Sequence, residues 1–211
     1  MTERPILFNG EMVNAILSGR KTQTRRVVKP KTGSEISDML RCPYGRAGDH
    51  LWVRETFRPQ EWHDEGVDEI GDPVWDVAPG TDGIQYRADG TFTPIENSES
   101  AAMMWFDLLR PEDTGVDGKP ISWRPSIHMP RWASRLQLEI VSVRTENVRS
   151  ITEEDAKAEG LEKEKCDHVP LYSYVAAFER LWNLINEDRG FGWDKNPLVW
   201  VVEFRVVLDK N

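Results

Sequence analysis

The closing stretch "LVWVVEFRVVL", residues 198–208, constrains the fold more than any other part of the chain. Apolar residues fill both alternating sets of its positions, whereas a strand with one wet face would alternate apolar and polar. Such a strand needs cover on both sides. The chain must therefore supply neighbouring strands at its flanks and further elements above and below.

The remaining segments offer that cover. "NGEMVNAILSG" places Met12, Ala15 and Ile16 on one helical face, with Asn9 as cap and Gly19 as stop. "TQTRRVVKP" reads as a strand ending before Pro30, and in "LWVRETF" Leu51, Val53, Glu55 and Phe57 alternate as one strand. "LQLEIVSVRTENV" is a long strand whose set Leu136, Leu138, Ile140 and Val143 contains one slip. "SITEEDAKAEGL" predicts a short helix capped by Thr152, with Asp155 as capping-box partner and Gly160 as its end. "YSYVAAFERLWNLIN" is the strongest helix, with Val175, Phe178, Leu181, Trp182 and Ile185 on a shared face. Helix, strands, helix, helix, strand: the order predicts an α+β fold, a small mixed or antiparallel β-barrel with flanking helices.

Residues 59 to about 120 differ in character, with 15 Asp/Glu against 3 Lys/Arg and many Gly and Pro. Within them "GIQYRADG" predicts a strand and "ESAAMMWFDLL" a short helix. We read a single domain over 1–211 carrying an acidic, loop-rich insert at about 59–130. The insert is expected at the mouth of any cleft and more mobile than the barrel. "SWRPSIHMPRWASR" then returns the chain, its tryptophans read as packing.

Charge narrows the function classes. The net charge of −9 hides a basic first quarter, since residues 1–58 hold 11 Lys/Arg and 6 Asp/Glu. That asymmetry suits a local anion site and disfavours long DNA as a partner. No apolar run approaches the roughly 20 residues of a membrane span, and no signal peptide is expected at the start. Cys42 and Cys166, far apart, fit a reduced cytoplasmic compartment. His50, His63, His128 and His168 lack zinc-ligand spacing, so neither metal nor other cofactor is expected.

The basic quarter centres on "ILSGRKTQTRR". Its density of cations suggests a phosphate site, while Lys21 and Thr24, three residues apart, could instead form a reactive pair. With Gly19, Lys21, Thr24 and Arg26 standing as G-x-K-x-x-[TE]-x-R after the first helix, the segment resembles the ASCH superfamily. "GDHLWVRETF", "ITEEDAKAEG" and "WVVEF" follow in the order of that family. The whole chain looks like its longer members, common in phages and prophages.

The resemblance implies a PUA-like β-barrel and, among small bacterial members, hydrolysis of N4-acetylcytidine by a Lys, a Thr and a Glu. Carried onto this sequence, the catalytic set is Lys21, Thr24 and Glu159, with Arg25, Arg26 and Glu55 as candidate substrate-binding residues. The implied substrate is a small nucleoside, and no cofactor is implied. Binding of RNA by a PUA-like module, or its cleavage, is the competing reading.

Amide hydrolysis needs a nucleophile, a proton acceptor and stabilisation of the tetrahedral intermediate. Thr24 offers an oxygen. Lys21 accepts its proton only if its pKa lies well below the ordinary ~10.4. Two assignments stand open. Lys21 is the base and Glu159 protonates the leaving amine, as the resemblance favours, or Glu159 activates the attacking group and a charged Lys21 holds the oxyanion.

Overall fold

A computed structural model of the chain describes residues 1–29, 41–61, 66–67, 73–74, 82–95, 122–165 and 172–207. Its elements are β1 (Glu3–Leu7), α1 (Gly10–Leu17), β2 (Gln23–Val27), β3 (His50–Arg54), β4 (Phe57–Glu61), β5 (Gly66–Val67), β6 (Pro73–Val74), β7 (Asp82–Tyr86) and β8 (Phe92–Pro94). They continue with β9 (Gln137–Asn147), α2 (Glu153–Ala158), β10 (Glu164–Lys165), β11 (Tyr172–Ser173), α3 (Tyr174–Asn186) and β12 (Leu198–Val207). The chain divides into two compact units, one of residues 1–53 and 134–211, the other of residues 54–133.

In the first unit the apolar run becomes β12, flanked on both sides in a sheet of order β1-β3-β9-β12-β2. Val199, Trp200, Val201 and Val202 are all buried. Val199 and Val201 pack beneath the helices with Ala156, Phe178, Trp182 and Trp193, while Phe204 meets Phe8 with ring centroids 6.1 Å apart. The slip in β9 is a bulge. Glu203 faces Ser142 and Phe204 faces Ile140, which leaves Val141 as the extra residue, 52% exposed.

The mixed α+β class is present, but a closed barrel is not formed by strand pairing among the described residues. β1 and β2 are the sheet's two ends, and a side chain spans them: Arg26 Nη2 on β2 donates to Leu7 O on β1 at 2.7 Å. A link through a guanidinium leaves no strand-pairing signal in the sequence.

The helices follow their caps. Asn9 accepts from Met12 N at 2.8 Å, and Gly19 (φ +72°) turns the chain so that Lys21 N reaches back to Ala15 O. Thr152 caps α2 by accepting from Asp155 N at 3.1 Å. The reciprocal half of the expected capping box is absent, because the Asp155 carboxylate is drawn away by two arginines and Gln23. Glu153 in the first turn of α2 instead holds the start of α3, accepting from Ser173 Oγ, Tyr174 N and Val175 N. Among the described residues no helix is long and apolar enough to cross a membrane.

The stretch read as one strand, "LWVRETF", is two. β3 pairs with β9, and β4 pairs with β7, so the chain changes partners between Arg54 and Phe57. The period-two burial persists through that change, from Leu51 to Pro59. In the first unit Val53 N donates to Leu136 O at 3.0 Å and Ser134 Oγ to Val53 O at 2.7 Å.

The second unit holds a β4-β7-β8 sheet and a β5-β6 pair. It has its own core of Phe57, Ile84, Tyr86, Met129 and Ala133, with Trp132 packed against it. The strand expected in "GIQYRADG" is β7, whereas the helix expected in "ESAAMMWFDLL" lies outside the described residues, as do His63, Cys166 and His168.

Gly160 fixes how closely α2 approaches α1. Its φ of +87° disfavours other residues, and a Cβ there would lie 2.8 Å from both Ala15 Cβ and Lys21 Cβ. Gly160→Ala is expected to lower stability by about 3 kcal/mol, combining overpacking with left-handed strain. Denaturant unfolding monitored by tryptophan fluorescence would read it; an unchanged midpoint would mean that this contact has slack.

Candidate active site

The site grows from the edge strand β2 and the end of α2. Residues Gln23, Thr24 and Arg25 are all nearly inaccessible, an uncommon run of polar residues for an edge strand. Lys21, just before β2, pairs with Glu159 as an isolated antiparallel bridge. Its ammonium donates to Glu159 Oε2 at 2.7 Å and to the Glu159 carbonyl at 2.9 Å. Both side chains are removed from solvent, at 1% and 6% exposure. Residues 138 positions apart are thus brought into direct contact.

The other carboxylate oxygen of Glu159 is held by Arg25 Nη1 at 3.2 Å. Arg25 also binds Glu146 Oε1 at 2.6 Å and Asp155 Oδ2 at 3.0 Å, and its guanidinium lies 5.7 Å from the Phe178 ring centre. Arg144 extends the network to Asp155, Glu146 and Glu203. Arg25 is fully enclosed yet meets three carboxylates, the compensation that a buried charge requires.

Burial pushes the Lys21 ammonium below its ordinary value. Glu159 opposes that shift by charge and hydrogen bonding, while Arg26 and Arg25 add to it. Burial alone would raise the Asp155 carboxyl, but Arg25, Gln23 and Arg144 outweigh it and hold the group below 3.8. A carboxyl depressed in the folded state stabilises the fold above its unfolded pKa, and that contribution disappears as pH falls through the folded value. The unfolding midpoint is therefore expected to drop as the solution is acidified below about pH 4. Asp155→Asn should be less stable at neutral pH and show a flatter acid limb; parallel profiles for the two proteins would contradict the linkage.

Thr24 opens onto a cavity of about 280 Å³ that is also lined by Arg26, Tyr44, Glu159, Phe178 and Trp182. Its hydroxyl takes no hydrogen-bond partner among the described residues. Lys21 does not line this cavity and stands behind Glu159. Thr24 and Arg26 lie two apart on β2 and share a face. The Arg26 guanidinium and Lys21 Nζ in turn share the Phe8 ring, at 5.2 and 5.7 Å from its centre.

Of the six residues singled out in the sequence, Lys21, Thr24, Arg25, Arg26 and Glu159 gather here. Glu55 belongs to the second unit, where it is 1% exposed, because it follows the point at which β3 gives way to the chain toward β4. Sequence reasoning missed Gln23, Asp155, Glu146, Arg144 and Phe8. Asp155 carried a local signal, but it pointed to a helix cap; the others carried none.

No family model and no curated protein sequence matches the chain. Among solved structures, an ASCH domain from Lactobacillus crispatus JV V101 is similar at 13% identity and a TM-score of 0.40, covering 97% of this chain and 79% of that one. Protein EF3133 from Enterococcus faecalis V583 is similar at 13% identity and the same TM-score, covering 98% and 80%. An ASCH domain is thus among the structures this chain is similar to, and an overlap at that level transfers no residue role.

Proposed function

We infer that the chain is an amidohydrolase that removes the acyl group from an N4-acylated cytidine-type nucleoside, with Lys21, Thr24 and Glu159 as its working groups. The observation that carries this reading is the enclosed Lys21–Glu159 pair, whose carboxylate faces the same cavity as the unpartnered Thr24 hydroxyl. A lysine with a depressed pKa, paired to a carboxyl that shares a cavity with an uncommitted hydroxyl, has the parts for acyl transfer.

The Lys21–Glu159 pair shares one proton, and the reacting form is the one in which the Lys21 amine is free of it. Thr24 Oγ bonds to the acyl carbon as its proton passes to the Glu159 carboxyl on the cavity side, which gives its own proton to Lys21 behind it. The C–N4 bond then breaks, Glu159 delivers its proton to N4, and cytidine leaves an acyl-threonine ester. Water adds to that ester, giving a proton to Glu159. The C–Oγ bond breaks, Lys21 returns its proton through the Glu159 carboxyl to Thr24, and the carboxylic acid departs. Each side chain ends in its starting state.

The direct test incubates the protein with N4-acetylcytidine and follows cytidine formation by absorbance, with a chelator present. Turnover that falls as the pH is lowered through the depressed Lys21 value supports the reading. No cytidine at any pH between about 6 and 10 would overturn it.

A further inference from the structure

The lining of the 280 Å³ cavity is unbalanced in charge. Arg25, Arg26, Lys29 and Arg189 border it, and Glu159 is the one carboxylate among its described lining residues. Arg25 and Glu159 are already committed to each other and to the buried network. That leaves Arg26, Lys29 and Arg189, none of which meets a carboxylate among the described residues. Arg189 donates weakly to Asn186 Oδ1 at 3.4 Å, and Arg26 spends one nitrogen on Leu7 O.

Arg26 Nε is buried and has no acceptor among the described residues. An N–H in that position costs free energy until something accepts from it. Arg189 stands close enough to repel Arg26, and although Tyr44 and Glu159 favour the Arg26 charge, burial outweighs them. An anion with several oxygens would meet both demands. Tyr44, Phe178 and Trp182 also line the cavity and offer apolar and aromatic surface for a flat base. A cavity this small, near the lower end of small-molecule sites, suits one nucleotide and not a strand.

We propose that the cavity takes a nucleoside monophosphate, with Arg26, Lys29 and Arg189 receiving the phosphomonoester. This rests on the acyl-cytidine reading for the identity of the base and adds a phosphate to it. The physiological substrate is then an N4-acylated cytidine monophosphate, whose anionic group holds the ligand while its acyl end meets Thr24 and Glu159.

The test titrates the whole protein by calorimetry at low and high salt with cytidine, cytidine 5′-monophosphate, cytidine 3′-monophosphate, inorganic phosphate and a short cytidine oligonucleotide. One of the two monophosphates is expected to bind about tenfold or more tightly than cytidine at low salt. The better of the two identifies which sugar oxygen bears the phosphate. That advantage should shrink with added salt, and by about tenfold in Arg189→Gln or Lys29→Gln, both at exposed positions. Arg26→Gln is the stronger variant, read only if its unfolding midpoint is retained.

Equal affinity for cytidine and both monophosphates overturns the proposal. So does an oligonucleotide that binds more tightly than either, or binding of inorganic phosphate alone. Failure of the parent reading is distinguishable: monophosphate binding without hydrolysis of any N4-acyl form rejects the amidohydrolase and keeps the phosphate site. Hydrolysis with equal KM for nucleoside and monophosphate does the reverse.

Discussion

Thr24→Ala is expected to lower turnover of N4-acetylcytidine by about 10⁴-fold or more, and Lys21→Ala by a similar factor. The double variant should be little worse than either single one, because a nucleophile and its base act as one unit. The substitutions differ in what they leave behind. The Thr24 hydroxyl has no hydrogen-bond partner among the described residues, so its loss strands no buried group. Removing Lys21 leaves the Glu159 carboxylate with Arg25 as its remaining cation.

Conservative changes sharpen the assignment. Thr24→Ser should keep measurable activity. Lys21→Arg should not, since a guanidinium cannot accept a proton at these pH values. Activity restored by Lys21→Arg would favour the opposite assignment, with Glu159 as base and position 21 as a fixed charge. Full activity in Thr24→Ala would remove the nucleophile altogether. Circular dichroism of each variant keeps loss of chemistry separate from loss of fold.

Arg25→Ala should produce the largest loss of stability of any single polar substitution in the first unit. Three carboxylates, Glu146, Asp155 and Glu159, lean on this one enclosed guanidinium. Removing one partner from a buried ionic cluster costs about 3–5 kcal/mol, because the remaining charges stay desolvated. For a chain of this size that corresponds to a midpoint lower by about 10 °C. The internal control is Arg205, which pairs with Glu139 at 2.7 Å but is 69% exposed. Arg205→Ala should cost under about 1 kcal/mol. If thermal unfolding ranks the two equally, burial is not what gives the Arg25 network its weight.

The elements set by neighbouring residues were legible in the sequence. Asn9, Gly19, Thr152 and Gly160 bound their helices where the capping rules place them, because each acts within four residues of itself. The uniform apolarity of β12 announced a strand covered on both faces, and even the slip in β9 was visible as a break in alternation. What was not legible depends on distant pairs. Asp155 was assigned to its own helix turn because the arginines that capture its carboxylate lie 130 and 11 positions away. The link between β1 and β2 runs through the Arg26 side chain, and nothing in periodicity encodes that. The break after Arg54 was hidden because the inward–outward alternation runs on unchanged while the partner strand changes.

Those same two strands, β3 and β9, have a consequence for the history of the chain. Residues 54–133 leave the first unit at Val53 and return at Ser134, and these two exit points are already joined by a hydrogen bond. The excursion therefore begins and ends at one place, like a side branch grafted at a single node. The entropy of closing such a branch grows only with the logarithm of its length, roughly 0.6 kcal/mol for each doubling. Lengthening or trimming residues 54–133 at that node is therefore expected to leave the register of the first unit's sheet and the Lys21–Glu159 contact as they are.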